Sequence, residues 1–175
     1  IISFGIESGV QRILDFISKR VTLAQIKKAV KMARKAGLDP RGSFILGLPT
    51  ETLKDSLTTI IFSLRLPLNQ AKFGLATPYP GTQLWEIALS ENQVKEKGED
   101  WDRFTQMAAY TKYKPPYIPK GRSAAELLFL QKFANTIFYL RPSVICSFIG
   151  RIKSFDDFKY FTKSVFKFLA GTIKK

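Results

Sequence analysis

Three short runs of almost unbroken apolar character constrain this chain more than any other feature: "IISFGI" at the start, "GSFILGL" from Gly42 and "AKFGLAT" from Ala71. A strand that shows one face to water alternates apolar and polar residues. A run that stays apolar suits a strand covered on both faces, the usual state of a parallel sheet. Between the runs the periodicity becomes helical. Val10, Ile13, Leu14 and Ile17 recur at helical spacing, and a second helix opens at Thr22, with Gln25 three residues on to close a capping box. Leu23, Ile26, Ala29, Val30 and Ala33 form its predicted buried stripe, and Gly37 sits where a left-handed cap ends it. "TETLKDSLTTIIFSLRL" predicts the next helix, with a stripe at Leu53, Leu57, Ile60, Ile61 and Leu64. The turn "PYPGT" leads into another, carrying Leu84, Trp85, Ile87 and Ala88. Strand followed by helix, three times over, reads as right-handed βα units in the α/β class.

Three strands are too few to close a barrel, and the first begins at residue 1. The expected architecture is therefore the C-terminal part of a larger α/β barrel. In such sheets ligands bind where the strands end, and here those ends read "ESG", "GLPTET" and "TPYPGT". From about residue 98 the pattern changes to a loop with prolines at 115, 116 and 119, then to helical stretches at 123–140, roughly 141–151 and 154–172. The chain divides accordingly into a barrel part (1–97), a connecting loop (98–122) and a helical C-terminal region (123–175).

Composition narrows the class. Hydrophobic residues at 45% and charged residues at 24% suit a globular protein rather than a disordered one. No apolar run reaches the roughly 18 residues that span a bilayer, and "LLFLQKFANTIFYL" is interrupted by Gln131 and Lys132. The start carries no signal peptide, and one cysteine forms no internal disulfide, so a cytoplasmic location is expected. Histidine is absent, which removes the commonest general base and metal ligand.

The net charge of +14 divides into +4 over residues 1–100 and +10 over 101–175. Such a half suits an anionic partner (lipid, nucleic acid or an acidic protein surface) or is simply a solvated basic face. The last helix, "SFDDFKYFTKSVFKFLAG", places Phe155, Phe158, Phe161, Val165, Phe168 and Leu169 on one side and Lys159, Lys163 and Lys167 on another. That pattern serves either packing onto the rest of the protein, the commoner use, or peripheral contact with a membrane surface.

Each strand-end motif has a functional and a purely structural reading. Glu7, at a strand end before a helix, is placed to accept hydrogen bonds from ribose hydroxyls, or to cap or salt-bridge at a helix end. In "GSFILGLPTE" Gly42 and Gly47 have the spacing of a phosphate loop, but Leu48 and Pro49 replace its lysine and hydroxyl, so it is not one. Glycines there admit a planar ligand or allow tight packing. "LATPYPGTQLWE" is a rigid rim loop in which Tyr79 or Trp85 lines a pocket or serves the core, and Cys146 reads as a buried small hydrophobe.

Taken together, "SFGIESGVQRILDFISKRVTLAQIKKAVKMARKAGLDPRGSFILGLPTET" and "AKFGLATPYPGT" resemble the fourth, fifth and sixth βα units of the radical S-adenosylmethionine enzymes, whose core is a partial (βα)6 TIM-like barrel. The resemblance covers roughly residues 1–95. "FYLRPS" at 138–143 resembles the C-terminal region of members that carry a cobalamin (B12)-binding domain. The resemblance implies that Glu7 contacts the ribose of S-adenosylmethionine and that Lys19 meets its carboxylate. It also implies that Gly42, Ile45, Gly47 and Glu51 hold the adenine side, together with backbone near Leu75 and Ala76.

In the family a four-iron, four-sulfur cluster, held by a cysteine triplet after the first strand, cleaves S-adenosylmethionine to a radical that abstracts a substrate hydrogen. Neither that triplet nor the glycine-rich segment of the second strand occurs here, and Cys146 does not replace three clustered thiolates. The expectation is a fragment that supplies part of the cofactor site, with cluster ligands and any cobalamin domain outside it, and that is inactive alone. Its implied partners are a small-molecule substrate and an external electron donor. Methylation, ring formation and rearrangement all stay open. The competing expectation is a non-catalytic α/β half-domain whose basic, aromatic C-terminus binds anionic membrane or nucleic acid. The ordered rim motifs disfavour it.

Overall fold

The computed structural model describes residues 1–95 and 100–149. In chain order they form β1 (Ile2–Glu7), α1 (Gln11–Phe16), α2 (Leu23–Lys35), β2 (Pro40–Leu46), α3 (Leu53–Arg65), β3 (Gln70–Leu75), α4 (Gln83–Ser90), α5 (Ala124–Tyr139) and α6 (Pro142–Ile149), with short 3-10 turns at Trp101–Arg103 and Ala108–Tyr110. The strands make one parallel sheet in the order β1-β2-β3. The expected βα alternation is present, and the parallel sheet with its helices is consistent with part of a barrel. The helix proposed at 154–172 lies outside the described residues.

Local signals start most of the helices. Thr22 Oγ1 accepts a hydrogen bond from the amide of Gln25, whose side-chain oxygen in turn accepts from the Thr22 amide, and Thr52 and Asp55 repeat the reciprocal arrangement at α3. Thr82 and Ser123 cap α4 and α5 singly. α2 ends at Gly37, which has the expected left-handed backbone.

Strand register decides which residues share a face. Phe4 pairs with Gly42 and Gly42 with Ala71, while Ile45 pairs with Gly74 and Leu46 with Leu75. One face of the sheet carries Ile6, Phe44, Leu46, Ala71, Phe73 and Leu75. It meets Val30 of α2, Ile60 of α3, and Leu127, Leu130 and Phe138 of α5 in a single core. Phe44 stacks on Phe73 with ring centroids 5.0 Å apart, and Phe138 meets Phe73 edge-on. The first helix of the C-terminal region thus shares the core of the strands. On the opposite face Ser3, Gly5 and Lys72 are exposed and Ser43 and Ile45 half-buried.

A second core forms beyond the strand ends from Ile13, Leu48, Ala76, Trp85, Ala88, Val94, Phe104 and Tyr117. Trp85 is buried in it and stacks on Trp101, so it serves packing, whereas Tyr79 is exposed.

The free edge of β3 is closed by side chains and a loop rather than by another strand. Gln131 is fully buried and donates to the carbonyls of Phe73 and Gln106, while its own oxygen accepts from the Ala109 amide. The Tyr139 hydroxyl donates to the Ala71 carbonyl, and the Leu75 amide donates to the carbonyl of Gln106. At the other end of the sheet Arg141 donates to the carbonyls of Leu64, Leu66 and Leu68, where α3 ends, and lies over the Phe138 ring. This is the part played by the arginine of "FYLRPS": it closes the negative end of a helix.

Three sequence expectations are corrected. Ala29, expected in the buried stripe of α2, is exposed. Of the expected α3 stripe Ile60 is buried and Leu64 half-buried, but Leu53, Leu57 and Ile61 are exposed, and α3 buries Ser56, Thr59, Phe62 and Ser63 in their place. The small polar residues admit close neighbours: Thr59 Oγ1 accepts from the Gly9 amide and meets the Ser8 hydroxyl, a fit no leucine allows. Cys146 is exposed rather than buried. α6 turns Val144 into the core, and two residues on a helix point to nearly opposite sides.

Candidate functional site

The candidate site is the rim formed by the three strand ends. At β1 the pairing slips between Gly5 and Glu7, and Glu7 takes a left-handed backbone, φ 66°. A side chain in that region costs about 1–3 kcal/mol and persists only where its surroundings impose it. Its carboxylate turns back over Gly5, where an added Cβ would lie 2.7 Å from Oε1. There Lys19 Nζ donates to Glu7 Oε1 at 3.0 Å. Both side chains remain partly open to solvent, Lys19 at 33% and Glu7 at 19%. The amides that open α1 take no bond from Glu7: α1 has no side-chain cap, and Ser8 serves the Val10 amide. Glu7 therefore salt-bridges but does not cap.

At β2 the rim is built differently. Gly47 is left-handed, φ 78°, and Thr50, a β-branched residue, is also left-handed at φ 64°. Glu51 is 2% exposed and points into the protein. Its carboxylate accepts from the Leu48 amide at 3.1 Å and from the Ser56 hydroxyl. Burial pushes its pKa up, opposed by the Ser56 hydroxyl, the Gly47 and Leu48 amides and the Arg122 charge. Arg12, reaching from α1, donates to Thr50 Oγ1 at 2.9 Å, to the Thr50 carbonyl and to Asp55 Oδ2 at 2.7 Å. Burial, the largest single influence, raises the Asp55 pKa, but the Thr52 bonds and the Arg12 charge and bond together outweigh it and hold the carboxyl below its ordinary value.

At β3, Leu75 and Ala76 bury their side chains in the two cores. The Ala76 amide donates to the Leu46 carbonyl, and the Leu75 carbonyl accepts from Thr77 Oγ1. Gln106 lies across the open face at Gly74, 3.2 Å from where a Cβ would sit.

The structure brings Glu7, Lys19, Ile45, Gly47, Leu75 and Ala76 to one end of the sheet. Gly42 does not join them. It pairs with Phe4 and Ala71 nearer the other end, and an added Cβ would lie 2.8 Å from Leu68 Cδ1. Its lack of a side chain serves packing. Glu51 belongs to the rim loop by position, but its carboxylate is turned inward and occupied. A hollow of about 260 Å³ opens toward the strand starts, and Gly42 alone of the candidates lines it. Arg12, Gln106 and Arg122 are the rim residues that the sequence left unmarked; their partners are too distant in the chain for any spacing rule.

No family model matches the chain. It is 41% identical over 142 residues to an uncharacterized methyltransferase of Pyrococcus horikoshii, a match covering 81% of this chain and 29% of that protein. It is 37% identical over 87 residues to a putative methylthiotransferase of Methanocaldococcus jannaschii, covering 50% of this chain and 19% of the other. Against the anaerobic magnesium-protoporphyrin IX monomethyl ester cyclase of Cereibacter sphaeroides the identity is 29% over 130 residues, 73% of this chain and 19% of that enzyme. The chain thus spans less than a third of the length of these relatives.

Proposed function

We propose that this chain supplies the ribose and adenine side of the cofactor site in a radical S-adenosylmethionine enzyme whose intact form carries out methyl transfer or cyclization. The names of the relatives, a methyltransferase, a methylthiotransferase and a cyclase, support that range of chemistry. The observation that carries the reading is the Glu7–Lys19 pair: an acceptor and a cation held 3.0 Å apart at a parallel strand's C-terminal end, on a backbone that is left-handed at Glu7. Such strain gathers where geometry serves a ligand.

Bound S-adenosylmethionine supplies a sulfonium whose carbon–sulfur bonds are the ones such chemistry breaks. Glu7 accepts hydrogen bonds from the ribose hydroxyls, and Lys19 faces the carboxylate with the donors it does not spend on Glu7. Gly47 and the backbone around Ala76 border the adenine. Glu51 acts behind that surface by fixing the Leu48 amide. The residues of this chain do not fit an iron–sulfur cluster: no three His, Cys, Asp or Glu side chains gather among the described residues, and the sequence holds one cysteine and no histidine. Within this proposal the cluster is held by another segment, a cobalamin-binding domain accompanies the barrel, and the partners are a small-molecule substrate and an external electron donor.

The test is calorimetric titration of the intact protein with S-adenosylmethionine. A hydrogen bond to a charged group contributes roughly 1.5–3 kcal/mol, so Glu7→Ala weakens binding about tenfold to a hundredfold. Unchanged affinity in the variant, with the iron–sulfur absorbance intact, overturns the assignment.

A further inference from the structure

Arg122 lies 71 residues beyond Glu51, in the turn before α5, yet its side chain is only 4% exposed. Its guanidinium is divided between two elements. Nε donates to Glu126 Oε1 at 2.8 Å within the first turn of α5. Nη1 donates to the Glu51 carbonyl at 3.1 Å, and both terminal nitrogens reach Ser56 Oγ at 3.3 Å. Ser56 passes its own proton toward the Glu51 carboxylate, whose other oxygen holds the Leu48 amide. Leu127 comes within 3.2 Å of where a Cβ of Gly47 would sit. Apart from the Glu126 bond, these ties lead from the start of α5 into the loop 47–51, directly at the Glu51 carbonyl and by way of Ser56 of α3.

We infer that Arg122 is a positioning residue for the cofactor rim, setting the Gly47–Glu51 backbone from the far side through Ser56 and Glu51. The inference rests on the cofactor reading above and adds to it that the helical region governs the β2 side of the site. A planar fork suits the task because donors pointing in fixed directions meet two elements at once, whereas a lysine offers a single point charge. A shift of the loop by a fraction of an ångström misplaces the surface that meets the adenine.

The experiment compares Arg122→Lys with Arg141→Lys in the intact protein. Arg141 closes the end of α3 away from the rim and so controls for loss of stability alone. Arg122→Lys is expected to raise the Kd for S-adenosylmethionine about tenfold and to speed amide exchange at Leu48 and Glu51, while Arg141→Lys, melting at a similar temperature, leaves both unchanged. Should Arg122→Lys not fold, Ser56→Ala removes the shared oxygen, keeps both charges, and is expected to act in the same direction. Unchanged exchange at Leu48, or the same rise in Kd for Arg141→Lys, overturns the inference. A wild-type protein that binds no S-adenosylmethionine overturns the cofactor reading instead, and the exchange comparison then decides the role of Arg122.

Discussion

After β1 and after β2 the chain meets the same problem, leaving a parallel strand for a helix, and the two exits are built in opposite ways. The β2 exit is fastened from behind: Glu51 is buried, Leu48, Ser56 and Arg122 occupy its polar atoms, and Arg12 clasps Thr50. The β1 exit is tied from behind only after the strand's last residue, by Ser8 and Gly9 against Thr59, and Glu7 itself carries a partly solvated ion pair with Lys19 above an exposed Gly5. Both hold a side-chain-bearing residue in the left-handed region, Thr50 in one and Glu7 in the other. In the first the strain is absorbed by hydrogen bonds that the protein itself completes. In the second a carboxylate and an ammonium keep bonding capacity in reserve for something else. In the proposed cofactor reading, a rim of one fixed wall and one receptive wall would give the ligand a template on one side and unspent polar contacts on the other.

Gly47→Val is the harshest way to break the fixed wall. It puts a β-branched residue at φ 78° against Leu127, and the left-handed and overpacking costs together reach about 3 kcal/mol in a denaturant melt. A loss under about 1 kcal/mol would show that the wall yields. Glu7→Gly asks the converse of the receptive wall. Glycine relieves the strain at φ 66° while the ion pair is lost, so stability stays within about 1 kcal/mol of wild type. Binding of S-adenosylmethionine nevertheless falls about tenfold. A large loss of stability would mean that Glu7 belongs to the fixed wall as well.

The pH dependence separates the carboxylates of the fixed wall by sign. Glu51 titrates above its ordinary value of 4.5, so its contribution is full below that pH and is lost as pH rises through the folded pKa. Melts of Glu51→Gln against wild type should therefore show a difference that moves in favour of the glutamine as pH rises across that window and then levels off. A gap that does not change with pH argues that Glu51 is not titrating there. Asp55 is held below its ordinary 3.8, and its contribution is present above that value and lost as pH falls through the folded pKa. Arg12→Ala gives the smallest effect, under about 1 kcal/mol for a pair with a half-exposed cation, and it should disappear at acid pH with Asp55. Persistence of the deficit after Asp55 is protonated would assign it to the Thr50 bonds.

Much of this was legible in the sequence, and the remainder was hidden for identifiable reasons. Continuous apolar runs gave the strands, and Thr22 with Gln25 gave a helix start, because strand burial and capping are local. Glu7 and Lys19, twelve positions apart, were picked out separately and prove to be partners. The buried face of α3 is legible only at Ile60 and Leu64, because leucines and serines both recur at helical spacing there. The choice fell to Gly9 and Arg122, which accept only small polar neighbours. Arg122 and Gln131 were invisible because a polar side chain's burial depends on acceptors 58 to 71 residues away.

Gln131, Tyr139 and the Gln106 carbonyl also give the sheet a direction of growth. On the β3 side they take up ladder groups that a further strand would need, at Ala71, Phe73 and Leu75. No described strand pairs with the outer side of β1. Any strand added to this sheet, from the same protein or a stray chain, has one edge to join, and it must enter beside Glu7. Among the described residues the glutamine thus acts as a stop on the β3 edge, and the edge left without a partner is the one that carries Glu7.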